Sequence, residues 1–460
     1  MKALLLENIH ADAVKALEAK GFEVESRAGA LAERDLISAL DGVDFLGIRS
    51  RTQVTRNVLE SAPQLQSVGA FCIGTNQIDL EAATELGVAV FNAPYSNTRS
   101  VVELAVAEII AMARKLTDRN RDMHRGVWDK SAVGSHEVRG RTLGIVGYGN
   151  IGSQLSIVAE ALGMRVLFYD IADRLALGNA TRVDTLDELL ERAETISLHV
   201  DGRPENENLF SHAEFAKMRP RSLFLNLCRG PVVDLDALHE HLTSGHIAGA
   251  AIDVFPTEPK SKDEPFVSKL QGLSNVILTP HVGGSTQEAQ VDIGRYVAGK
   301  MSDYHTSGST SMSVNLPEVA AGPIRESRIV HLHHNVPGVM ARLNSLLAKH
   351  EMNIMSQTLS TKGGLGYAIT DIATKDVNGL LAELQALDET LRVRVLQLVP
   401  ERGPRRRSRP RRRAAAAVST PQPPWSMCQI RCVRPSSFAG SQARRRTLRD
   451  HAQGLVRTGT

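Results

Sequence analysis

Residues 142–170 read TLGIVGYGNIGSQLSIVAEALGMRVLFYD, and the rest of the chain is arranged around this stretch. An apolar run at 143–146 leads into a glycine-rich turn at 147–152, and a second apolar run at 166–169 ends on Asp170. Between them, four apolar residues recur at helical spacing: Leu155, Val158, Ala159 and Leu162. The pattern predicts a strand, a turn, a helix and a second strand that ends on an acid.

This predicted unit is suited to binding a dinucleotide. Gly147 allows a tight turn, Gly149 lets the backbone approach a pyrophosphate, and Gly152 lets the helix pack close to the strand. The helix N-terminus offers unpaired N–H groups to the pyrophosphate. Asp170 can accept hydrogen bonds from both ribose hydroxyls, and an acid there favours NAD over NADP. The alternative is a glycine-rich turn in another kind of α/β protein.

Length and composition predict a soluble protein of about three domains, because the chain has 460 residues and is 42% hydrophobic. No apolar run is long enough for a transmembrane helix, and the first residues do not form a signal peptide. The four cysteines are scattered, which suits a reducing, cytoplasmic location, and no metal site is expected.

Charge is distributed unevenly along the chain. Residues 401–460 contain 15 Arg and 2 acids, a net charge of +13, whereas the whole chain carries only +3. The first 400 residues are therefore mildly acidic. The composition of 401–460 predicts a disordered Arg-rich tail. A polyanion-binding arm is one interpretation; we favour a non-native extension, so nucleic acid is not expected as a partner.

Residues 1–96 alternate short apolar strands with helices, which predicts a parallel sheet. Ligands of such sheets bind beyond the carboxyl ends of the strands, and two loops there stand out. Arg49, Ser50 and Arg51 form a candidate anion site for phosphate or carboxylate, although a solvated basic turn would look similar. Around Ile73 and Gly74, exposed N–H groups could hold a carboxylate, although an ordinary turn is about as well supported.

Three polar residues lie at or after strand ends of the region 140–285, where the strand–helix alternation continues. His281 suits a proton donor of near-neutral pKa, and Arg229 suits a cation that polarises a carbonyl and binds a carboxylate. Glu258 suits a group that orients the imidazole and raises its pKa. Each residue could instead be structural, and His199 is a competing proton donor. Asp253 could contact the nicotinamide carboxamide.

The chain closely resembles the D-2-hydroxyacid dehydrogenase family, in a bacterial form with a C-terminal ACT domain. The matching stretches include GIRSRT at 47–52, FCIGTN at 71–76, SNTRSV at 96–101, RGVW at 125–128, AIDVFPTEP at 251–259 and TPHVGGSTQEAQ at 279–290. The resemblance covers roughly residues 1–400. It implies an α/β fold in which a doubly wound Rossmann cofactor domain is inserted into a flavodoxin-like substrate domain.

The resemblance also implies an activity and a set of site residues. It implies NAD-dependent oxidation of 3-phosphoglycerate in serine synthesis by a homotetramer, with Arg229, Glu258 and His281 as the catalytic set. The implied substrate contacts are Arg49, Ser50, Arg51, Ile73, Gly74 and Asn97. The implied cofactor contacts are Gly147, Gly149, Asn150, Ile151, Gly152, Asp170, Leu227, Cys228, Arg229, Asp253, His281, Val282, Gly283 and Gly284. 2-Ketoglutarate is a second candidate substrate.

Two positions depart from the family. Cys228 stands where Ser or Ala is usual, and its thiol could be oxidisable beside the cofactor. Residues 201–206 (DGRPEN) replace a loop that usually carries Pro and Thr near the cofactor, which puts those contacts in doubt.

Residues 326–400 follow a βαββαβ order, which is ferredoxin-like, and the sequence HHNVPG at 333–338 resembles that of an ACT domain. The resemblance implies an L-serine effector site at His333, Asn335 and Asn353; the alternative is a dimerisation module without a ligand. The predicted domains are 1–96 with 286–325, then 97–285, 326–400 and the tail 401–460.

Two other features and two other functions complete the predictions. Residues 97–123 are expected to form one long helix whose charges, including Glu108, are solvated or lie between subunits. Trp128 either packs locally or anchors a subunit interface. The alternative functions are another D-2-hydroxyacid dehydrogenase and a non-enzymatic NAD-sensing protein.

Overall fold

The computed structural model describes residues 1–259, 263–373 and 377–397. Within these ranges the strands form three sheets, of five, seven and four strands. The Arg-rich tail at 401–460 lies outside the described residues. None of the helices in the described ranges is both long and apolar enough to cross a membrane.

The first sheet is parallel and has the strand order β2-β1-β3-β4-β5, which is flavodoxin-like as expected. The chain order reverses between β1 and β3, so the crevice at their carboxyl ends is the topological switch point where ligands of such sheets bind. Its elements are β1 (Lys2–Leu5), α1 (Ala11–Glu18), β2 (Glu23–Ser26), α2 (Glu33–Ala39), β3 (Phe45–Ile48), α3 (Arg56–Glu60), β4 (Ser67–Ala70), α4 (Leu80–Glu85) and β5 (Ala89–Phe91).

Two helices follow where one was expected. These are α5 (Thr98–Ala113) and α6 (Leu116–His124). The prediction of a continuous helix over 97–123 is wrong, because Lys115 adopts the left-handed conformation with φ of 51° and ends the regular hydrogen bonding.

The second sheet is parallel and has the order β12-β11-β10-β9-β6-β7-β8, the doubly wound arrangement expected for a dinucleotide-binding domain. Its elements are β6 (Thr142–Val146), α7 (Asn150–Ala161), β7 (Arg165–Tyr169), β8 (Thr181–Arg182), α8 (Leu186–Arg192), β9 (Thr195–Leu198), α9 (His212–Lys217), β10 (Ser222–Asn226), α10 (Leu235–Thr243), β11 (Ile247–Ile252) and β12 (Val276–Leu278). The next helix, α11 (Gln287–Ser307), returns to the first sheet.

Helices α5 and α11 pack on different sheets. Val101, Val102 and Ile109 of α5 belong to the core of the second sheet, whereas Val297 and Met301 of α11 belong to the core of the first. This packing is compatible with the predicted boundaries near residues 97 and 286, which stay predictions.

The third sheet is antiparallel with the order β14-β15-β13-β16, and the βαββαβ prediction is confirmed. Its elements are β13 (Ser327–His334), α12 (Val339–Lys349), β14 (Ile354–Lys362), β15 (Leu365–Ile372), α13 (Asn378–Gln385) and β16 (Thr390–Gln397). Helices α12 and α13 cover one face. The other face, which includes Val330 and Leu332, shares a core with α11 and the first sheet.

Candidate active site

The glycine-rich turn has the geometry that a dinucleotide site requires. Gly147 adopts φ of +90°, and a Cβ there would stand 2.6 Å from the carbonyl oxygen of His199. A Cβ on Gly152 would stand 2.2 Å from the carbonyl oxygen of Gly147, so the helix could not approach β6 with any other residue. Nothing lies within 4 Å of a Cβ position on Gly149, which leaves this side of the turn open for a pyrophosphate.

Asp170 lies beside the glycine-rich turn at the end of β7. Its carboxylate accepts hydrogen bonds from the backbone N–H of Tyr148 at 2.7 Å and of Ala172 at 2.8 Å. The side chain is only 9% exposed, and the guanidinium of Arg174 lies 3.7 Å away. The two backbone bonds fix the carboxylate beside the glycine-rich turn, and its contact with a ribose stays a prediction.

His281 and Glu258 form the ion pair predicted from the sequence. His281 Nδ1 lies 2.9 Å from Glu258 Oε2, and the other carboxylate oxygen of Glu258 accepts a hydrogen bond from Phe255 N at 3.1 Å. The side chains of His281 and Glu258 are 53% and 38% exposed, so the imidazole is accessible to solvent. The hydrogen bond with Glu258 raises the pKa of His281 above its ordinary value, and partial burial opposes this.

Asp253 holds the backbone of the His281 loop. It is fully buried, and its carboxylate accepts hydrogen bonds from Thr279 Oγ1 at 2.6 Å, Val282 N at 2.8 Å and Gly283 N at 2.8 Å. His281 itself has a left-handed φ of 54°, a conformation that costs a non-glycine residue energy and that these bonds stabilise. Asp253 therefore orients His281, and contact with a nicotinamide stays a prediction.

Arg229 follows β10, and a buried amide closes the turn that carries it. Asn226 Nδ2 donates to the carbonyl oxygen of Arg229 at 3.1 Å, and Asn226 Oδ1 accepts from Cys228 N at 3.1 Å. The next residue, Gly230, packs so closely on the backbone of Phe255 that a Cβ would stand 2.0 Å from it. The Arg229 turn and the segment that leads to Glu258 are therefore in direct contact.

The structure argues against an oxidisable Cys228. Its thiol donates to Asn226 Oδ1 at 3.1 Å, and burial raises its pKa to about 11. The nucleophilic thiolate is scarcely populated at neutral pH under these conditions.

His199, the competing proton donor, lies in an unsuitable environment. Burial lowers its pKa to about 4, its Nε2 lies 2.9 Å from Ser197 Oγ, and its buried Nδ1 has no partner. No carboxylate pairs with it among the described residues, so the geometry favours His281 as the proton-transfer group.

Cys72, in the second candidate loop, is influenced by the charges of both Arg49 and Arg229. Burial raises the pKa of its thiol to about 11, and the two positive charges oppose this effect. Ser50 and Arg51 are exposed, whereas Ile73 and Gly74 are half-buried. Asn92 Nδ2 donates to the carbonyl oxygen of Ile73 at 2.6 Å and fixes that loop.

Three of the remaining predicted contacts lie at the starts of helices. Asn97 begins α5, and its amide packs on Gly284, where a Cβ would stand 2.3 Å from Asn97 Nδ2. Asn150 and Ile151 begin α7. Leu227 is 6% exposed and Val282 is 37% exposed.

The unusual loop at 201–206 closes on itself. The Asp201 carboxylate accepts from Arg203 Nε at 2.7 Å and from Asn206 Nδ2 at 3.0 Å. A Cβ on Gly202 would stand 3.1 Å from Arg229 Cγ, so this loop packs on the side chain of Arg229.

Glu108 was expected at the surface, and this prediction is wrong. The residue is 3% exposed, and both carboxyl oxygens are buried without a hydrogen-bond partner. Burial, with a contribution from the charge of Asp253, raises its pKa to about 8. A signal was available: Val101, Ala105 and Ile109 place the apolar face of the helix on the side where Glu108 also lies.

The predicted effector residues do not share one environment. His333 is 1% exposed, its Nδ1 lies 2.9 Å from the carbonyl oxygen of His334, and its Nε2 is buried without a partner. Asn335 and Asn353 are exposed. Nearby His331 is fully buried, and desolvation lowers its pKa to about 4.

Comparison with known proteins gives two family matches. The profile of the NAD binding domain of D-isomer specific 2-hydroxyacid dehydrogenases matches residues 106–283, and that of an AHAS small subunit-like ACT domain matches residues 329–392.

Individual relatives cover most of the chain. A D-3-phosphoglycerate dehydrogenase of Haemophilus influenzae is 49% identical over 399 residues, which are 86% of this chain and 97% of the relative. D-3-phosphoglycerate dehydrogenase 1 of Saccharomyces cerevisiae is 45% identical over 403 residues, 85% of this chain and 86% of the relative. The structure of apo D-lactate dehydrogenase from Escherichia coli is 26% identical with a TM-score of 0.57, and the match covers 66% of this chain and 97% of that one.

Proposed function

Because the chain belongs to the D-2-hydroxyacid dehydrogenase family and is an NAD-dependent oxidoreductase of its D-3-phosphoglycerate dehydrogenase group, we propose that it oxidises 3-phosphoglycerate to 3-phosphohydroxypyruvate, a step of L-serine synthesis. The observation that carries this proposal is the His281–Glu258 pair, whose facing atoms are 2.9 Å apart, with Arg229 close enough for its charge to act on both groups.

The proposed chemistry assigns one role to each of three residues. NAD, held by the glycine-rich turn and Asp170, would supply the hydride acceptor for oxidation at C2 of the substrate. His281 accepts the hydroxyl proton on Nε2, because Nδ1 is engaged by Glu258. Glu258 stabilises the imidazolium that forms, and Arg229 binds the substrate carboxylate and polarises the developing carbonyl.

The substrate phosphate is assigned to the opposite side of the cleft. Arg49, Ser50 and Arg51 supply two guanidinium groups and a hydroxyl, which suit a phosphate dianion. The same groups accept a carboxylate, which is the reason to consider 2-ketoglutarate as a second substrate. The self-closed loop at 201–206 packs on Arg229, on the side assigned to the substrate carboxylate.

Regulation and assembly form the second part of the proposal. The ACT domain suggests a small-molecule effector, and we assign L-serine to His333, Asn335 and Asn353, at a surface completed by a second copy. Trp128 is 71% exposed among other exposed apolar side chains, Leu116, Met123, Val127 and Val133, which suits a subunit contact in a cytoplasmic homotetramer. Light scattering with Trp128→Ala tests the assembly.

The activity is tested by following NADH oxidation in parallel with phosphohydroxypyruvate, hydroxypyruvate, pyruvate and 2-ketoglutarate, each with and without L-serine. We expect the highest kcat/KM with phosphohydroxypyruvate and inhibition by L-serine. Preference for a substrate without a phosphate would place the chain with another D-2-hydroxyacid activity, and NADH binding without any turnover would favour an NAD-sensing protein.

A further inference from the structure

Glu7 follows β1 at its carboxyl end and lies beneath the loop that carries Arg49, Ser50 and Arg51. The residue is only 7% exposed. Its φ is 64°, and that of Asn8 is 54°, so two successive non-glycine residues adopt the left-handed conformation. Such residues are uncommon and cluster at functional sites, where surrounding contacts hold them in place.

The carboxylate of Glu7 accepts three backbone hydrogen bonds from this loop. The donors are Arg49 N at 3.2 Å, Arg51 N at 3.1 Å and Thr52 N at 2.8 Å. The bonds span the crevice between β1 and β3, the topological switch point of the first sheet. At such a place, unpaired N–H groups commonly bind the anionic ligand themselves. Here a protein carboxylate takes three of them.

Gln77 ties the same loop to the second substrate loop. The residue is 3% exposed, and its Nε2 donates to the carbonyl oxygen of Arg49 at 2.6 Å and of Gly74 at 3.2 Å. Cys72 Sγ also donates to the carbonyl oxygen of Gly74 at 3.2 Å. The two loops are therefore held together by the buried amide of Gln77 and by the thiol of Cys72.

We propose that Glu7 and Gln77 are positioning residues for substrate recognition, which turn the backbone N–H groups of the Arg49–Arg51 loop inward so that a phosphate is bound by the loop's side chains. This deepens the proposed function and rests on it. Recognition by guanidinium groups is bidentate and depends on the angle at which the loop presents them. Glu7 and Gln77 set that angle without touching the substrate.

The proposal predicts a specific kinetic signature. Residues that act only through binding of a remote group change KM and leave kcat nearly unchanged. Replacing Glu7 by Gln leaves one acceptor oxygen and puts an NH2 group in place of the other. Because this NH2 group would face a backbone N–H group of the loop, two donors would oppose each other and the loop would shift. Replacing Gln77 by Leu removes the link between the loops. A residue that merely stabilises the fold would change the amount of active enzyme and not the KM for one substrate.

The experiment compares full-length wild type with Glu7→Gln, Glu7→Asp and Gln77→Leu in the reductive direction, with circular dichroism to verify folding. Phosphohydroxypyruvate and hydroxypyruvate differ only in the phosphate. We expect Glu7→Gln and Gln77→Leu to raise the KM for phosphohydroxypyruvate about tenfold, with kcat and the KM for NADH within about twofold. For Glu7→Gln, the KM for hydroxypyruvate should change less than about threefold, and Glu7→Asp should restore part of the loss.

Glu33→Gln is the matched control. The carboxylate of Glu33 accepts hydrogen bonds from Thr55 Oγ1 at 3.0 Å and Asn57 Nδ2 at 2.8 Å, just beyond the loop but at the surface. The Glu33→Gln variant should leave kcat and the KM values for both keto acids and for NADH unchanged.

Three outcomes would overturn the proposal. The first is an unchanged KM for phosphohydroxypyruvate. The second is an equal rise in the KM values for both keto acids and for NADH. The third is failure of all three variants to fold. Lack of wild-type activity on phosphohydroxypyruvate is a different result, because it would overturn the proposed function itself.

Discussion

His281 and His333 are both placed by sequence motifs at ligand sites, yet the structure surrounds them differently. His281 is 53% exposed at its side chain and pairs with Glu258 at 2.9 Å. His333 is 1% exposed, bonds a backbone carbonyl through Nδ1 and leaves Nε2 buried without a partner. The first histidine is accessible to solvent and the second lies inside a sheet–helix layer.

The two histidines differ in whether their ring nitrogens have hydrogen-bond partners within the chain. A carboxylate partner and access to solvent suit His281 to the proton transfer that we propose for it. In the regulatory sheet, a buried polar atom without a partner is unfavourable and requires an explanation, such as a ligand or a rearrangement. The hydrogen bonding of the His281–Glu258 pair is thus complete within one chain, whereas that of His333 is not.

Replacing His281 by Ala should have the largest effect. Loss of the proton-transfer group should lower kcat by roughly 10²- to 10⁴-fold, while NADH binding, measured by fluorescence titration, persists. The comparison variant is His199→Asn, which removes a histidine whose pKa is already lowered to about 4 by burial. A larger loss in His199→Asn than in His281→Ala would reverse the assignment of the proton-transfer group.

Replacing Glu258 by Gln should sharpen the role of the ion pair. The hydrogen bond with Glu258 raises the pKa of His281, and oxidation requires the neutral imidazole. Without the carboxylate the pKa falls, so the acidic limb of the kcat/KM profile for oxidation should move to lower pH. The alkaline limb for reduction should move in the same direction. We expect a rate loss of roughly tenfold or more, and an unmoved acidic limb would contradict this role of Glu258.

A substitution at His333 should change inhibition by L-serine and leave catalysis nearly unchanged, the reverse of what is expected at His281 and Glu258. His333→Asn should weaken inhibition by L-serine about tenfold or more, while kcat without serine stays within about twofold, because the effect depends on coupling between two sites. His334→Gln is the matched control, since His334 is adjacent but exposed. Equal serine sensitivity in wild type and His333→Asn would show that this buried nitrogen takes no part in binding the effector.

The sequence was sufficient for features encoded by local pattern. The glycine-rich turn, the strand–helix alternation and the βαββαβ order each predicted a sheet that the structure contains. Residue types after the strand ends suggested the His281–Glu258 contact, and the family resemblance supported it over the alternatives, because 22 residues separate the two positions and no periodicity connects them.

Long-range contacts were not predictable in this way. Glu7 reaches Arg49, Arg51 and Thr52 through bonds between residues 42 to 45 positions apart, and nothing near Glu7 in the sequence marks it. The break at Lys115 depends on one φ angle in a segment with good helical residues. Burial of Glu108 was predictable from helical spacing, but its charge suggested the surface instead.

Glu108 extends the comparison from histidines to glutamates and gives the smallest expected effect. Glu258 is ion-paired and open, whereas Glu108 is buried and unpaired, and burial raises its pKa from 4.5 to about 8. The folded state therefore binds this proton more tightly than the unfolded state, so the residue lowers stability as the pH rises from about 5 to 8. Glu108→Gln removes the ionisation, and its advantage in free energy of unfolding should grow over that range and level off above pH 8, reaching roughly 1–2 kcal/mol.

Thermal unfolding at several pH values measures this, with Glu103→Gln on the same helix as control, since Glu103 is 63% exposed. A pH-independent difference between wild type and Glu108→Gln would mean that Glu108 is already ionised and paired, and that the two glutamates do not differ as their surroundings indicate.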